Sequence, residues 1–216
     1  MIHLYNEDCL EAMKSMEDGK YDLAIVDPPY GINAGLRRGD TGKNKHIKQK
    51  EYKYGTWDSS PPNKEYFDEL IRVSKNQIVF GANHFISKLP YDSPCWIVWN
   101  KKNGDNLYAD CELAWTSFPT AVRMMEYRWH GMLQENMKNK EQRIHPTQKP
   151  VELYRWILSN YAKQGDTILD THLGSGSIAI ACHDMGYSLD GYELDVDYFQ
   201  AASKRLKEHQ RQLKLF

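Results

Sequence analysis

The chain has 216 residues, 41% hydrophobic and 26% charged, an ordinary globular usage that excludes wholesale disorder and suits one domain with a sizeable core. Its 28 basic and 29 acidic residues leave a net charge of −1, so a polyanionic partner has to be met by a local patch. No apolar run approaches the ~20 residues of a membrane span, MIHLYNEDCL lacks a signal layout, and Cys9, Cys95, Cys111 and Cys182 make no C-x-x-C pair, so a cytoplasmic protein with no membrane association, structural zinc or disulfides is expected.

In chain order, a helical pattern at Glu7–Met16 leads to a buried strand, Leu23–Val26, stopped by Asp27-Pro28-Pro29-Tyr30. Charge then reverses: residues 1–30 carry 2 basic and 7 acidic side chains, whereas 37–53 carry 7 basic and 2 acidic. The second stretch has no apolar periodicity, which predicts a mobile basic loop over about 31–60. A helix at Lys64–Val73 follows, then strands at Gln77–Phe80, Cys95–Trp99 and Glu112–Trp115. The polar stretch 130–144 reads as a loop or small insertion, and beyond it come a helix at Val151–Tyr161 and a strand at Thr167–Asp170. A helix at Ile178–Met185, a strand at Ser188–Glu193 and a helix at Tyr198–Leu213 complete the series. Short apolar strands alternating with helices predict an α/β fold, a mostly parallel sheet covered on both faces.

Two strand ends carry chemistry. At the second, Gly174, Gly176 and Ala179 satisfy G-x-G-x-x-G/A between a strand and a helix, and Glu193 lies 193 − 174 = 19 residues on. Glycines there admit a ligand to the backbone, and the acidic residue suits a ribose diol. Asp170, immediately before the turn, would repel a pyrophosphate and welcome a cation such as the ammonium of a methionine moiety. That argues for S-adenosylmethionine over a nicotinamide dinucleotide. Only 216 − 193 = 23 residues follow Glu193, so the remaining strands come from earlier sequence and the order is circularly permuted. At the first strand end, two prolines fix two φ angles and donate no N–H. They hold the Asp27 side chain and the Pro28 carbonyl as an acceptor pair for a planar exocyclic amino group, with Tyr30 offering a face on which a base stacks.

The Asp27-Pro28-Pro29-Tyr30 tetrapeptide and the turn from Asp170 through Ser177 resemble the catalytic motif and cofactor loop of the DNA amino-methyltransferases that act on adenine N6 or cytosine N4. The catalytic motif comes first, as in their β class. Asn6–Met13, Tyr54–Asp58 and His145–Pro150 resemble further segments of the family, so the likeness covers nearly the whole chain. It implies a Rossmann-like S-adenosylmethionine-dependent methyltransferase fold in a single catalytic domain, 1–216. Catalysis would rest on Asp27, Pro28, Pro29 and Tyr30. The cofactor would be met by Asp8, Cys9, Thr147, Lys149, Asp170, Thr171, His172, Gly174, Gly176, Ser177, Glu193 and Leu194, with Asp8 on its adenine amino group and no metal. Thr171 and His172 depart from the family's usual Pro and Phe. The implied partner is double-stranded DNA, contacted by Arg37, Arg38, Lys43, Lys45, Lys48 and Trp57, and the class includes homodimers. Only about 130–144 is available for target recognition.

The target base has to leave the duplex. Asp at position 27 favours adenine over cytosine, whose enzymes more often carry Ser there. RNA stays open as a substrate, as do a nicotinamide-dependent oxidoreductase and a non-catalytic DNA-binding module, although neither of these two explains the tetrapeptide.

Overall fold

Along the central strands successive residues enter two different cores: Leu23 and Ile25 one, Ala24 and Val26 the other. A sheet whose strands bury both faces needs helices on each side. In the computed structural model, which describes residues 1–33, 58–104, 109–130 and 133–212, the first half comprises β1 (Ile2–Tyr5), α1 (Cys9–Lys14), β2 (Tyr21–Val26), α2 (Lys64–Val73), β3 (Ser74–Phe80), β4 (Trp96–Asn100) and β5 (Cys111–Thr116). The second comprises β6 (Arg123–Glu126), β7 (Trp129–His130), β8 (Leu133–Gln134), α3 (Val151–Tyr161), β9 (Thr167–Asp170), α4 (Ser177–Met185), β10 (Ser188–Tyr192) and α5 (Val196–Arg211).

Among the described residues eight strands form one sheet in the order β1-β10-β9-β2-β3-β5-β4-β6. Of these described strands only β5 runs against its neighbours, and β7 and β8 make a separate antiparallel pair. Met13 of α1 and Tyr66, Phe67, Leu70 and Val73 of α2 fill one core. The other takes Leu153, Ile157 and Leu158 of α3, Ile178 of α4 and Leu206 of α5. The alternating α/β order and the mostly parallel sheet are as the sequence predicts.

Local chemistry explains the helix bounds. Asn63 caps α2 by accepting from the Tyr66 N–H, and Pro150 starts α3 where no donor is needed. Asp8 caps α1, which is therefore shorter than Glu7–Met16. Gly176, at φ 69°, turns the chain into α4. A Cβ there would stand 3.2 Å from that of Ala202 on α5, so this glycine serves helix packing as well as the turn. Unread in the sequence are β1 and β6, both edge strands with a partly exposed, weak pattern. The 130–144 stretch begins inside the β7–β8 pair.

β9 pairs with β10 on one side and β2 on the other, parallel to both. The chain's two chemical motifs therefore lie side by side at the carboxyl edge, at a topological switch point where α/β sheets bind ligands. Among the described residues no helix is long and apolar enough to cross a membrane. Ile78, fully buried in β3, tests this packing: Ile78→Ala should lower unfolding free energy by about 2–5 kcal/mol in a urea titration, with the m-value unchanged.

Candidate active site

β2 ends at Val26, and the next residue begins the rigid turn. Asp27 Oδ1 accepts a hydrogen bond from the Tyr30 hydroxyl at 2.6 Å, while Oδ2 holds the Lys149 ammonium. Lys149 Nζ also lies 3.1 Å from Glu112 Oε2 and 3.2 Å from the Tyr30 hydroxyl oxygen. The other oxygen of Glu112 takes Lys101 Nζ at 2.5 Å. Four charges of alternating sign, Asp27, Lys149, Glu112 and Lys101, thus run from the turn across β5. The two lysines hold the Glu112 carboxyl down at about 2 against its burial. Burial pushes Asp27 up while Lys149 opposes it, and the two carboxylates keep Lys149 an ammonium, raised despite its burial.

This placement bears on three readings. The Lys149 ammonium reaches the Asp27 carboxylate, because an ammonium only 4% exposed needs carboxylates within reach. Both oxygens of Asp27 hold donors from within the chain. The Tyr30 ring already stacks on His84, centroids 5.1 Å apart, and lies so close to Gly81 that a Cβ there would fall 2.0 Å from it. Gly81, at φ 67°, is thus required both by its backbone and by the tyrosine.

Asp58 holds the turn from below. Its Oδ1 accepts from the N–H groups of Tyr30 (2.6 Å) and Gly31 (2.8 Å), and its carbonyl accepts from the Asn33 N–H. Arg37, Arg38, Lys43, Lys45, Lys48 and Trp57 lie outside the described residues.

Beside this turn, Asp170 ends β9, buried, its Oδ1 accepting from the His172 N–H at 3.0 Å. Among the described residues no cation pairs with it, and burial, reinforced by the charges of Asp27 and Glu193, pushes its carboxyl up to about 8. The Thr171 hydroxyl lies 2.6 Å from that of Tyr66 and 2.9 Å from His172 Nδ1. Burial holds His172 neutral, lowered to about 4. Glu193 accepts the Gly174 N–H at 2.8 Å and the Asp195 N–H at 2.9 Å, bracing the turn from the end of β10. Leu194 is 69% exposed.

The Ser177 side chain joins two segments of the site. It is buried, donates to the Lys149 carbonyl at 2.8 Å and accepts from Arg205 at 2.9 Å, so its hydroxyl is consumed in holding 145–150 to the turn. His145 sits against Gly174 and packs edge-on against Tyr198, and the Thr147 hydroxyl lies 3.1 Å from His145 Nδ1. Asp8 accepts from the Leu10 N–H at 2.8 Å. Cys9, its thiol pushed up to about 12 by burial, is near enough to feel the Asp170 charge. The structure therefore gathers 8–9, 27–30, 145–150, 170–177 and 193 at one edge of the sheet.

Glu112, Lys101, Asp58, Tyr66, His84, Arg205 and Glu141 support the site without having been assigned a role from sequence. A signal existed for Glu112: a lone acidic residue in an otherwise apolar strand implies a buried partner. None existed for Arg205, one cation among several on α5.

A family model described as DNA methylase, for N6 and N4 methyltransferases, matches residues 91–204, more than half of the chain. The type II methyltransferase M.HpaI of Haemophilus parainfluenzae is 26% identical over 240 residues, covering 92% of this chain and 72% of that protein. The M1.HpyAVI–SAM complex superposes with a TM-score of 0.58 at 23% identity, covering 95% of this chain and all of the other. PvuII DNA methyltransferase, cytosine-N4-specific, does so at 0.60 and 10% identity, covering 100% and 88%. The two structural likenesses are likenesses of fold.

Asp170 makes the electrostatics testable. Its carboxyl lies at 3.8 ordinarily and about 8 in the folded chain, so folding favours the protonated form. The stability this contributes is full below about pH 4 and is lost as pH rises through about 8. Asp170→Asn should lose less thermal stability than the wild type between about pH 6 and 9, read as melting temperature against pH.

Proposed function

The chain belongs to the DNA methylase family of N6 and N4 methyltransferases, and from that premise we propose that it transfers a methyl group from S-adenosylmethionine to adenine N6 of a base flipped out of double-stranded DNA. The observation that carries this reading is the pairing of β2 with β9, which sets the Asp27 turn beside a buried carboxyl, Asp170, that pairs with no cation among the described residues.

The residues fit the cofactor. Asp170 suits the ammonium of its methionine end, the turn through Gly174 and Gly176 admits close approach, and Glu193, which braces that turn, is the carboxylate assigned to a ribose hydroxyl. Asp8 and His172 border the same edge. Bound there, the sulfonium supplies an electrophilic methyl group with a neutral thioether as its leaving group.

Asp27 and the Pro28 carbonyl accept the amino hydrogens of the base and draw its nitrogen toward a tetrahedral shape. The nitrogen's lone pair forms the new N–C bond as the S–C bond breaks, with that bond's electron pair remaining on sulfur. The nitrogen then releases one proton to water. Catalysis is positioning plus a carboxylate aimed at developing positive charge. What supports adenine over cytosine is Asp at position 27. Phosphate contacts are assigned to Arg37, Arg38, Lys43, Lys45 and Lys48, and a DNA contact to Trp57, which makes binding salt-dependent.

Incubation with labelled S-adenosylmethionine and unmethylated genomic DNA, followed by nucleoside mass spectrometry, should yield N6-methyladenine. N4-methylcytosine would keep the mechanism and overturn the base, and no product would overturn the activity. Asp27→Ala should lower turnover by about 10²-fold or more while leaving cofactor affinity within a few-fold by calorimetry. Glu193→Ala should weaken cofactor binding by about tenfold or more, the scale of one charge-assisted hydrogen bond.

A further inference from the structure

Asp27 has to receive an amino group, yet both of its oxygens are taken, one by the Tyr30 hydroxyl and one by the Lys149 ammonium. A cation on Asp27 also opposes the positive charge that builds on a nitrogen gaining a methyl group. Lys149 cannot simply withdraw into water, because its side chain is 4% exposed and sits 4.8 Å from the Phe80 ring centroid. A second carboxylate is in place: Glu112 Oε2 lies 3.1 Å from the same nitrogen, and Lys101 secures its other oxygen at 2.5 Å.

On the reading of the activity given above, we propose that Glu112 is a positioning residue for methyl transfer, the carboxylate that takes over the Lys149 ammonium when the target amino group claims Asp27. The handover needs a shift of one ammonium between two carboxylates it already touches. No buried charge is left unpaired at either end. The ammonium stays close enough to keep Asp27 ionised, and it no longer blocks the oxygen that the base requires.

Glu112→Gln keeps the shape and removes the charge, so Lys149 stays on Asp27. With wild-type protein methylating DNA, this variant should show kcat/KM for DNA lowered by about tenfold or more, the scale of a misplaced catalytic group, and cofactor affinity within a few-fold of wild type. Adding Lys149→Met should recover part of the loss at pH 9, because burial pushes Asp27 up and a high pH favours its charged form once the lysine is gone. A merely structural Glu112 would give no such recovery. A Glu112→Gln variant with wild-type kcat/KM, or a double variant no more active than the single one at pH 9, overturns the handover. If Glu112→Gln fails to fold, Lys101→Met tests the device from the other side. Glu112 then holds Lys149 alone and more firmly, so KM for DNA should fall, and a rise overturns the proposal. Wild-type protein inactive on any DNA would overturn the reading of the activity and this inference with it.

Discussion

Four charges in alternating order beneath the carboxyl edge of the sheet set the terms for everything around them. Asp27, Lys149, Glu112 and Lys101 come from the end of β2, the start of α3, β5 and the chain just after β4. Removing one member of a buried charge pair typically costs about 3–5 kcal/mol, because its partner is left uncompensated. The arrangement therefore ties four separate segments to one geometry. It also opposes the burial that drives the Asp27 carboxyl toward protonation. The hydroxyl of Tyr30, kept protonated by its own burial, adds a neutral donor to that carboxylate.

A second bracket joins the glycine turn to the segment that carries Lys149. Arg205 on α5 donates to the Ser175 carbonyl and the Ser177 hydroxyl, both at 2.9 Å, and to Glu141 Oε2 at 2.8 Å. The other oxygen of Glu141 accepts the Val151 N–H that opens α3. Gln134 in turn holds the Glu141 backbone through both ends of its amide, and Gln148 does the same for Gln142 and Ile144. Much of the polar stretch after β7 is thus spent on internal hydrogen bonds that position Lys149. Polar composition alone does not distinguish such a brace from a surface that meets a partner.

How far the sequence could be read depends on the range of the forces involved. α2 and α3 have the bounds their patterns predict, because the Asn63 cap, the Pro150 start and the apolar stripes are all local. β1 escapes notice because its pairing partner, β10, is 187 residues away and its own pattern is short and half-exposed. Lys149 illustrates the same divide within the site. Its segment is recognisable, but the carboxylate it serves is 122 residues distant, and nothing in the local sequence says which of two neighbouring motifs a buried ammonium will face.

The sequence by itself determined the alternating α/β order, the two strand-end motifs, their permuted order and the family, since each rests on residue types within a few positions of one another. The tertiary structure alone decided that β2 and β9 are neighbours, that both oxygens of Asp27 carry donors and that Glu112 shares its lysine. Those are matters of which distant groups must share one desolvated space. A buried charge selects its partner by position in the folded chain, and that selection has no local signature.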